Sequence, residues 1–273
     1  MAWVRVLKRE AFRWAARGVD LVYPPRCPIC REDQGAEDTA RDTAARGPDD
    51  PPADEAALID WEAAVCPRCV RALSADVCRC LRCGAPGPQA DGCRGCRHRR
   101  RDWRRLVVLS SYADGLREAV LRAKRPTGDD VAAALGTLLV RRHRDSIAGW
   151  GVDTVVPVPM HWLRRSLRGA SAADRLAGRI ATLMGLPHAR SLVRRRPTRM
   201  QNELPAERRP ANVQGAFRAR RRLDGARVLL VDDVMTTGAT LAACARALSA
   251  AGALRVDVAV VARADAVGSD ADA

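Results

Sequence analysis

The sequence predicts an α/β protein, with a mainly parallel β-sheet flanked by helices and preceded by a small cysteine-rich, zinc-binding domain. Three observations predict it. Cysteine pairs crowd the first hundred residues, apolar strand-like runs alternate with helix-like segments from about residue 102, and one run, VLLVDDVMTTGAT, ends in two aspartates and a turn. The 273 residues allow one medium domain and a smaller one, because domains typically hold about 100 to 200 residues.

The first 25 residues are expected to form an amphipathic helix. Trp3, Leu7 and Trp14 have the spacing of one helical face, which would pack on the protein itself or on a membrane surface. Charged residues interrupt this segment, so it lacks the apolar centre of a signal peptide. No stretch approaches the roughly 18 consecutive apolar residues of a membrane span. These features predict a soluble, cytoplasmic protein with no membrane span.

Eight of the ten cysteines form four C-x-x-C pairs over residues 26–100. Each pair can direct two thiolates at one metal ion, and four thiolates complete a tetrahedral zinc site. The eight therefore predict two structural zinc ions in a double zinc ribbon. Pairing in sequence order or an interleaved pairing is compatible with the spacing, and Cys78 or His98 could replace a ligand. The predicted ligands are Cys27, Cys30, Cys66, Cys69, Cys80, Cys83, Cys93 and Cys96.

Residues 31–62 separate the first two pairs and form an acidic, proline-containing loop that we expect to be disordered. The whole chain is nevertheless basic, with 47 Lys and Arg against 32 Asp and Glu and a formal charge of +15. This charge suits an anionic partner. The segment RHRRRDWRR surrounds Trp103 with cations, as single-stranded DNA binding by phosphate contact and base stacking would require. The alternative is a connector with solvated arginines.

Residues 101–265 carry the alternating pattern, and residues 266–273 read as a flexible tail. Alternation predicts a mainly parallel sheet with both faces covered, in which ligands bind beyond the carboxyl ends of the strands. Cys244, in the last helix, is expected to be a small buried residue. The predicted strands are RLVVLSSY, VDTVVPVP, ARSLVRRR, RVLLVDD and RVDVAVVAR, and the predicted helices are GLREAVLRAK, VAAALGTLLVRRHRD, SAADRLAGRIATLMG and GATLAACARALSAAG.

Asp232 and Asp233 come at the carboxyl end of a predicted buried strand, where a ligand is expected. The MTTGAT segment then leads into a helix start, whose free N–H groups and positive dipole end suit a phosphate. Gly238 allows close approach of the backbone, and two carboxylates can accept hydrogen bonds from vicinal hydroxyls. The pattern predicts a ribose 5-phosphate site. Alternatively, Asp233 caps a turn and Thr237 caps the helix.

VLLVDDVMTTGAT resembles the thirteen-residue signature of type I phosphoribosyltransferases, which bind phosphoribosyl pyrophosphate (PRPP) with magnesium. Together with the cysteine-rich front, the chain resembles the ComF family, the competence-protein group that includes ComFC and GntX. The blocks YADGLREAVLRAK, DTVVPVPMHWLRRSLRG and RRRPTRMQNELPAERRPANVQGAF are also similar to ComF sequences. The resemblance implies a type I phosphoribosyltransferase fold over residues 101–265.

The resemblance also implies roles for individual residues. Asp232 and Asp233 would hold the ribose hydroxyls, and Lys124 matches the family's lysine after the first helix. The 5-phosphate would be held by Thr236, Thr237, Gly238, Ala239 and Thr240. Residues Pro157 to Gly169 correspond to the pyrophosphate side, with Arg164, Arg165 and Arg168 as catalytic candidates. A mobile segment over the active site would contribute Thr198, Gln201, Leu204, Arg208 and Asn212.

One departure concerns the acceptor side. Family members commonly read R-G-F-N-Q where this chain reads RGASA, so Ala170, Ser171 and Ala172 replace an aromatic residue and two amides. Acceptor recognition and turnover therefore stay open. Glu203 is a candidate base, although a solvated loop carboxylate is the simpler interpretation.

Three functions are compatible with the sequence. The first is phosphoribosyl transfer to an unknown acceptor, in DNA uptake or nucleotide metabolism. The second is PRPP sensing without catalysis. The third is a competence protein that binds single-stranded DNA, or a partner such as a helicase or another DNA-uptake protein. The sequence does not indicate the oligomeric state.

Overall fold

The computed structural model describes residues 26–33, 65–74, 77–87, 93, 96, 101–160, 171–195, 213 and 215–265. It divides into two compact units, residues 1–71 and residues 72–273. The predicted N-terminal helix, most of the acidic loop (34–62) and the tail (266–273) lie outside the described residues. Within the described part, no helix is both long and apolar enough to cross a bilayer.

Five helices and six strands are described here. The helices are α1 (Pro67–Leu73), α2 (Asp114–Ala123), α3 (Asp129–Ala148), α4 (Ala172–Met184) and α5 (Ala239–Ala250). The strands are β1 (Leu106–Ser111), β2 (Thr154–Pro157), β3 (Leu192–Arg194), β4 (Phe217–Ala219), β5 (Arg227–Met235) and β6 (Arg255–Arg263).

Four strands form a parallel sheet in the order β1-β6-β5-β2. Helix α3 packs on α4, α4 packs on β2 and β5, and α5 packs on β5 and β6. All four strands therefore end at one edge of the sheet, and the register places Pro157 of β2 beside Val231 of β5. The predicted α/β class, a parallel sheet flanked by helices, is confirmed.

The core between α5 and the sheet is built from aliphatic side chains, as the scarcity of aromatic residues requires. Leu230 and Val258 from the strands and Leu241 and Leu248 from α5 belong to one buried cluster. Cys244 lies in the same cluster and is completely buried, which raises the pKa of its thiol well above the ordinary value. It is the small core residue that the sequence predicted.

Two parts of the sheet differ from the expectation. The predicted strand ARSLVRRR is reduced to β3, which pairs antiparallel with β4 in a separate two-stranded sheet. Strand β4 has only three residues, too few to show an alternating pattern in the sequence. Strand β5 continues to Met235 because its ladder with β6 continues to Arg263. Asp232 and Asp233 are therefore the sixth and seventh of the nine residues of the strand.

The second cysteine region, residues 77–87, packs on the edge strand β1. The Leu106 N–H donates to the Leu81 carbonyl at 2.6 Å, and Arg263 Nε donates to the Cys83 carbonyl at 3.0 Å. Arg79 donates to Ser111 Oγ at 2.6 Å. An exposed edge strand has unpaired backbone groups that can recruit other chains. The cysteine region covers part of that edge within the second unit.

Candidate functional site

An acidic pair and one lysine meet at the carboxyl-end edge of the sheet. Asp232 is paired in register with Val260 on β6, and Asp233 is the next residue of β5. The Asp233 N–H donates to Asp232 Oδ1 at 2.9 Å. Lys124, immediately after α2, places Nζ 3.2 Å from Asp233 Oδ2. The structure thus brings Lys124 to a pair of adjacent aspartates that lie more than a hundred positions further along the sequence.

The electrostatics of this group depend on its poor solvation. Burial, and then the nearby charge of Asp233, raise the pKa of Asp232 well above its ordinary value. Burial alone would lower the pKa of Lys124, but the charges of Asp233 and Asp232 outweigh it and raise that pKa. Lys124 therefore stays cationic and compensates the acidic pair.

The segment Thr236–Thr240, here called the phosphate loop, follows β5 directly and begins α5. Gly238 is the residue before the helix and has φ of +80°, a left-handed conformation that favours glycine. The Ala239 N–H lies 3.4 Å from Thr237 Oγ1. The loop thus presents threonine hydroxyls and a helix N-terminus next to the acidic pair. This arrangement can bind an anionic group attached to a sugar whose hydroxyls face the aspartates.

A cleft opens at the end of β2. The Val158 N–H donates to the Val231 carbonyl at 2.9 Å, so the cleft begins beside the acidic strand. Arg190 forms a bidentate pair with Asp174, with distances of 2.7 and 2.5 Å, and His188 Nε2 lies 3.5 Å from the same carboxylate. The residues that line the cleft are Pro157, Val158, Pro159, Met160, Ser171, Asp174, Arg190, Leu192, Val193, Arg194 and Arg220.

Several predicted site residues lie outside the described part of the chain. They are Arg164, Arg165 and Arg168 on the pyrophosphate side, and Thr198, Gln201, Glu203, Leu204, Arg208 and Asn212 of the segment expected over the site. Their roles stay predictions. Two residues of the RGASA segment are described. Ser171 precedes α4 and lines the cleft, whereas Ala172 is the first residue of α4 and is buried.

The eight paired cysteines form two groups of four. Within each group the sulfur atoms all lie within 4.8 Å of one another. A tetrahedral zinc ion with Zn–S bonds of about 2.3 Å requires sulfur separations of about 3.8 Å, so both groups fit a structural zinc ion. The groups follow sequence order: Cys27, Cys30, Cys66 and Cys69 in the first, and Cys80, Cys83, Cys93 and Cys96 in the second.

Backbone N–H groups point at sulfur in both groups. The Cys66 N–H lies 3.5 Å from Cys27 Sγ, and the Arg82 N–H lies 3.4 Å from Cys80 Sγ. Burial raises the pKa of both thiols, but backbone N–H groups outweigh it and lower the pKa of Cys27 and of Cys80 to about 7. Each group therefore holds one thiol that is ready to become a thiolate, the form that binds metal.

Trp103 does not have the role that its basic surroundings predicted. Only 4% of its surface is exposed, and its Nε1–H donates to the Arg82 carbonyl at 2.8 Å. A base cannot stack on a ring that is buried in the protein core, so the stacking part of the DNA-binding hypothesis is wrong. The reason is position: Trp103 precedes β1, and its indole belongs to the buried cluster under α5.

Sequence reasoning overlooked two features near the site. Trp103 and Arg101 lie against the phosphate loop, and Asp174 and Arg190 form the ion pair in the cleft. A lone tryptophan directly before the first predicted strand is the signal that could have indicated a core residue. No local pattern indicates the Asp174–Arg190 pair, because its partners come from a helix and a loop.

The fold and the site together define a phosphoribosyltransferase-domain protein. The family described as Phosphoribosyl transferase domain matches residues 128–272, more than half of the chain. The DNA utilization protein YhgH of Salmonella typhi is 33% identical over 207 residues, covering 74% of this chain and 90% of that protein. The protein of the same name from Escherichia coli strain K12 is 31% identical with the same coverage.

Competence protein F of Haemophilus influenzae is 28% identical over 193 residues, which cover 67% of this chain and 84% of that protein. With the cysteine groups of the N-terminal region, these relatives show that the chain belongs to the ComF family. The resemblance drawn from the sequence is confirmed.

Proposed function

We propose that this protein binds PRPP with magnesium and transfers the phosphoribosyl group to a nucleophilic acceptor, releasing pyrophosphate. One observation supports this most directly: β5 carries Asp232 and Asp233 into the phosphate loop without interruption, beside Lys124. We assign the carboxylates to the 2- and 3-hydroxyls of a ribose, and the loop to its 5-phosphate.

In the proposed reaction the bond between C1 of the ribose and the pyrophosphate oxygen breaks, and the acceptor atom forms a new bond to C1 while losing a proton. The transition state would carry positive charge on the ribose, as in glycoside cleavage. In this proposal the acidic pair contacts the ribose, so its negative charge would stabilise that state. Lys124 would pair with substrate oxygens when the ribose hydroxyls occupy the carboxylates.

Magnesium would be held mainly by oxygens of PRPP, and the carboxylates of Asp232 and Asp233 are the protein groups we assign to that complex. When bound, it would supply charge neutralisation for the departing pyrophosphate. The cleft beside β2 precedes residues 161–170, which contain the predicted pyrophosphate arginines, so we place pyrophosphate and acceptor at this end of β2. Arg190, Arg194 and Arg220 make the cleft suitable for anionic groups.

The test of transfer is a search for pyrophosphate release across purine, pyrimidine and amine acceptors, with magnesium and zinc-replete protein. The Asp232→Asn/Asp233→Asn variant is the inactive reference. Asp153→Asn is the matched control, because Asp153 pairs with Arg227 at the opposite end of β5. Release by wild type and by Asp153→Asn, but not by the double variant, would support transfer. No release with any acceptor would remove the enzymatic part of the proposal.

A second candidate is PRPP sensing in DNA utilisation, which the RGASA departure and the names of the relatives favour. In this case the protein binds PRPP but does not release pyrophosphate. Binding of a fluorescent single-stranded oligonucleotide, measured with and without PRPP at low salt, tests it. A change in oligonucleotide affinity on adding PRPP would support sensing, and the same affinity in both conditions would contradict a PRPP-dependent DNA role.

A further inference from the structure

Trp103 lies directly against the phosphate loop. A methyl group placed on Gly238 would come within 2.9 Å of Trp103 Cη2, so the indole ring is packed on the bare backbone of that glycine. The ring is almost completely buried, with 4% of its surface exposed. Gly238 has no side chain that could pack against its surroundings. The six-membered ring of the indole occupies the space beside its backbone instead.

The opposite end of the same ring is fixed by the second cysteine region. Trp103 Nε1 donates to the carbonyl of Arg82, which lies between the ligand candidates Cys80 and Cys83. The Arg82 N–H in turn points at Cys80 Sγ, at 3.4 Å. The backbone of one residue in the cysteine turn, Arg82, thus contacts the sulfur through its N–H and accepts a hydrogen bond from the tryptophan through its carbonyl.

The residues before Trp103 contribute to the same attachment. Arg101 Nη1 donates to the Thr237 carbonyl at 3.3 Å, and its guanidinium lies 5.4 Å from the centre of the Trp103 ring. Asp102 accepts a hydrogen bond from Arg246 of α5 at 2.6 Å. Arg101 and Trp103 therefore contact the phosphate loop, and Asp102 contacts the helix that follows it.

We infer that Trp103 is a positioning residue for the phosphate loop, and that the second cysteine group, with zinc bound, holds Trp103 in place. The inference rests on the proposed function, because it takes Thr236–Thr240 as the segment that binds the 5-phosphate. Phosphate binding by backbone N–H groups depends on their being fixed before the ligand arrives. In this protein the zinc ribbon provides that support from behind, without touching the ligand.

Two substitutions of buried tryptophans test the role of Trp103. Trp103→Leu removes the ring behind Gly238, whereas Trp150→Leu removes a ring of similar burial, 6% exposed, that lies under Arg105. We expect Trp103→Leu to weaken PRPP and ribose 5-phosphate binding about tenfold or more, since a displacement of about 1 Å in a site can cost about a hundredfold in rate. Trp150→Leu should leave both affinities unchanged, and Trp103→Phe should recover part of the loss.

Hydrogen exchange gives a readout that needs no ligand. Trp103→Leu should speed amide exchange in residues 236–240 of the folded protein, and Trp150→Leu should not. If the proposed function fails and wild type does not bind PRPP, this measurement still tests the support of the loop. The inference would be overturned if residues 236–240 of the Trp103→Leu variant exchanged at the wild-type rate. It would also be overturned if wild type binds ribose 5-phosphate and the variant binds it with the same affinity.

The contribution of the cysteine group is tested by a double-mutant cycle. Cys83→Ser should weaken PRPP binding in the wild-type background and speed exchange in residues 236–240. In the Trp103→Leu background the same change should have much less effect, because two changes that act through one contact are not additive. Equal effects of Cys83→Ser in both backgrounds would show that the cysteine group does not act through Trp103.

Discussion

The Nζ atom of Lys124 lies 3.2 Å from Oδ2 of Asp233, and this ion pair links the end of α2 to the carboxyl-terminal half of β5. The lysine compensates two adjacent carboxylates in a poorly solvated position. Without it, the site would hold negative charge that must be neutralised by protonation or relieved by local movement. The pair therefore connects the stability of the unliganded protein with the sugar binding that we propose for the two aspartates.

Lys124→Met should lower the free energy of unfolding by about 0.5–1 kcal/mol, a small value because the lysine is partly exposed and the pair is screened by solvent. Urea denaturation at pH 8 measures this change. Lys124→Arg keeps the charge and is the control, which should stay closer to wild type. Equal stability of Lys124→Met and wild type would show that the pair does not compensate the aspartates.

Asp232→Asn should stabilise the unliganded protein by about 1–2 kcal/mol at pH 8 while removing PRPP binding. The pKa of Asp232 is raised in the folded state. As pH rises above about 4, the Asp232 carboxyl therefore ionises in the unfolded chain before it ionises in the folded protein. The free energy of unfolding therefore falls as pH rises toward the folded-state pKa of Asp232, and it stays constant above that pKa. Unfolding curves from pH 4 to 9 should show this fall in wild type and a smaller one in Asp232→Asn. A larger fall in the variant would contradict the assigned pKa direction.

Metal analysis should find two zinc ions per chain. Cys30→Ser and Cys83→Ser each remove one ligand from a different group, so each variant should lose one equivalent and the double variant both. A chelator should also lower the melting temperature, because structural zinc contributes directly to folding free energy. Two equivalents retained in every variant would show that other ligands hold the metal.

Gly84→Ala should destabilise the second unit by about 1–3 kcal/mol, the usual cost of overpacking. A methyl group on Gly84 would lie 2.8 Å from Val108 Cγ2, where the cysteine region meets β1. Gly87→Ala is a matched control, because Gly87 also has a positive φ but has no atom within 4 Å of the added methyl group. The difference between the two variants in thermal unfolding isolates the packing. Equal losses would mean that backbone conformation alone is responsible.

Strongly patterned elements were predictable from the sequence. The apolar runs of β1 and β6 and the amphipathic repeats of α2 and α4 determine their own structure, and RVDVAVVAR has the same bounds as β6. The acidic pair and phosphate loop are contiguous in sequence, so their position side by side could be predicted without coordinates. The four C-x-x-C pairs likewise identified both cysteine groups.

Features that depend on long-range contacts could not be predicted. Lys124 meets Asp233 only because α2 ends beside β5, and nothing local to either residue indicates that contact. The three-residue strand β4 acquires its structure from pairing with β3. Trp103 was misread because its charged neighbours suggested exposure. Its burial follows from its position under α5, between Arg82 and Gly238.

The central claim is that the end of β5 and the phosphate loop bind PRPP, and calorimetry in magnesium on zinc-replete protein tests it most directly. We expect wild type and Asp153→Asn to bind PRPP with one site per chain, and Asp232→Asn/Asp233→Asn to show no binding. Circular dichroism and thermal unfolding should confirm that all three proteins are folded. No heat of binding from folded wild type, or equal binding by the double variant, would contradict the account.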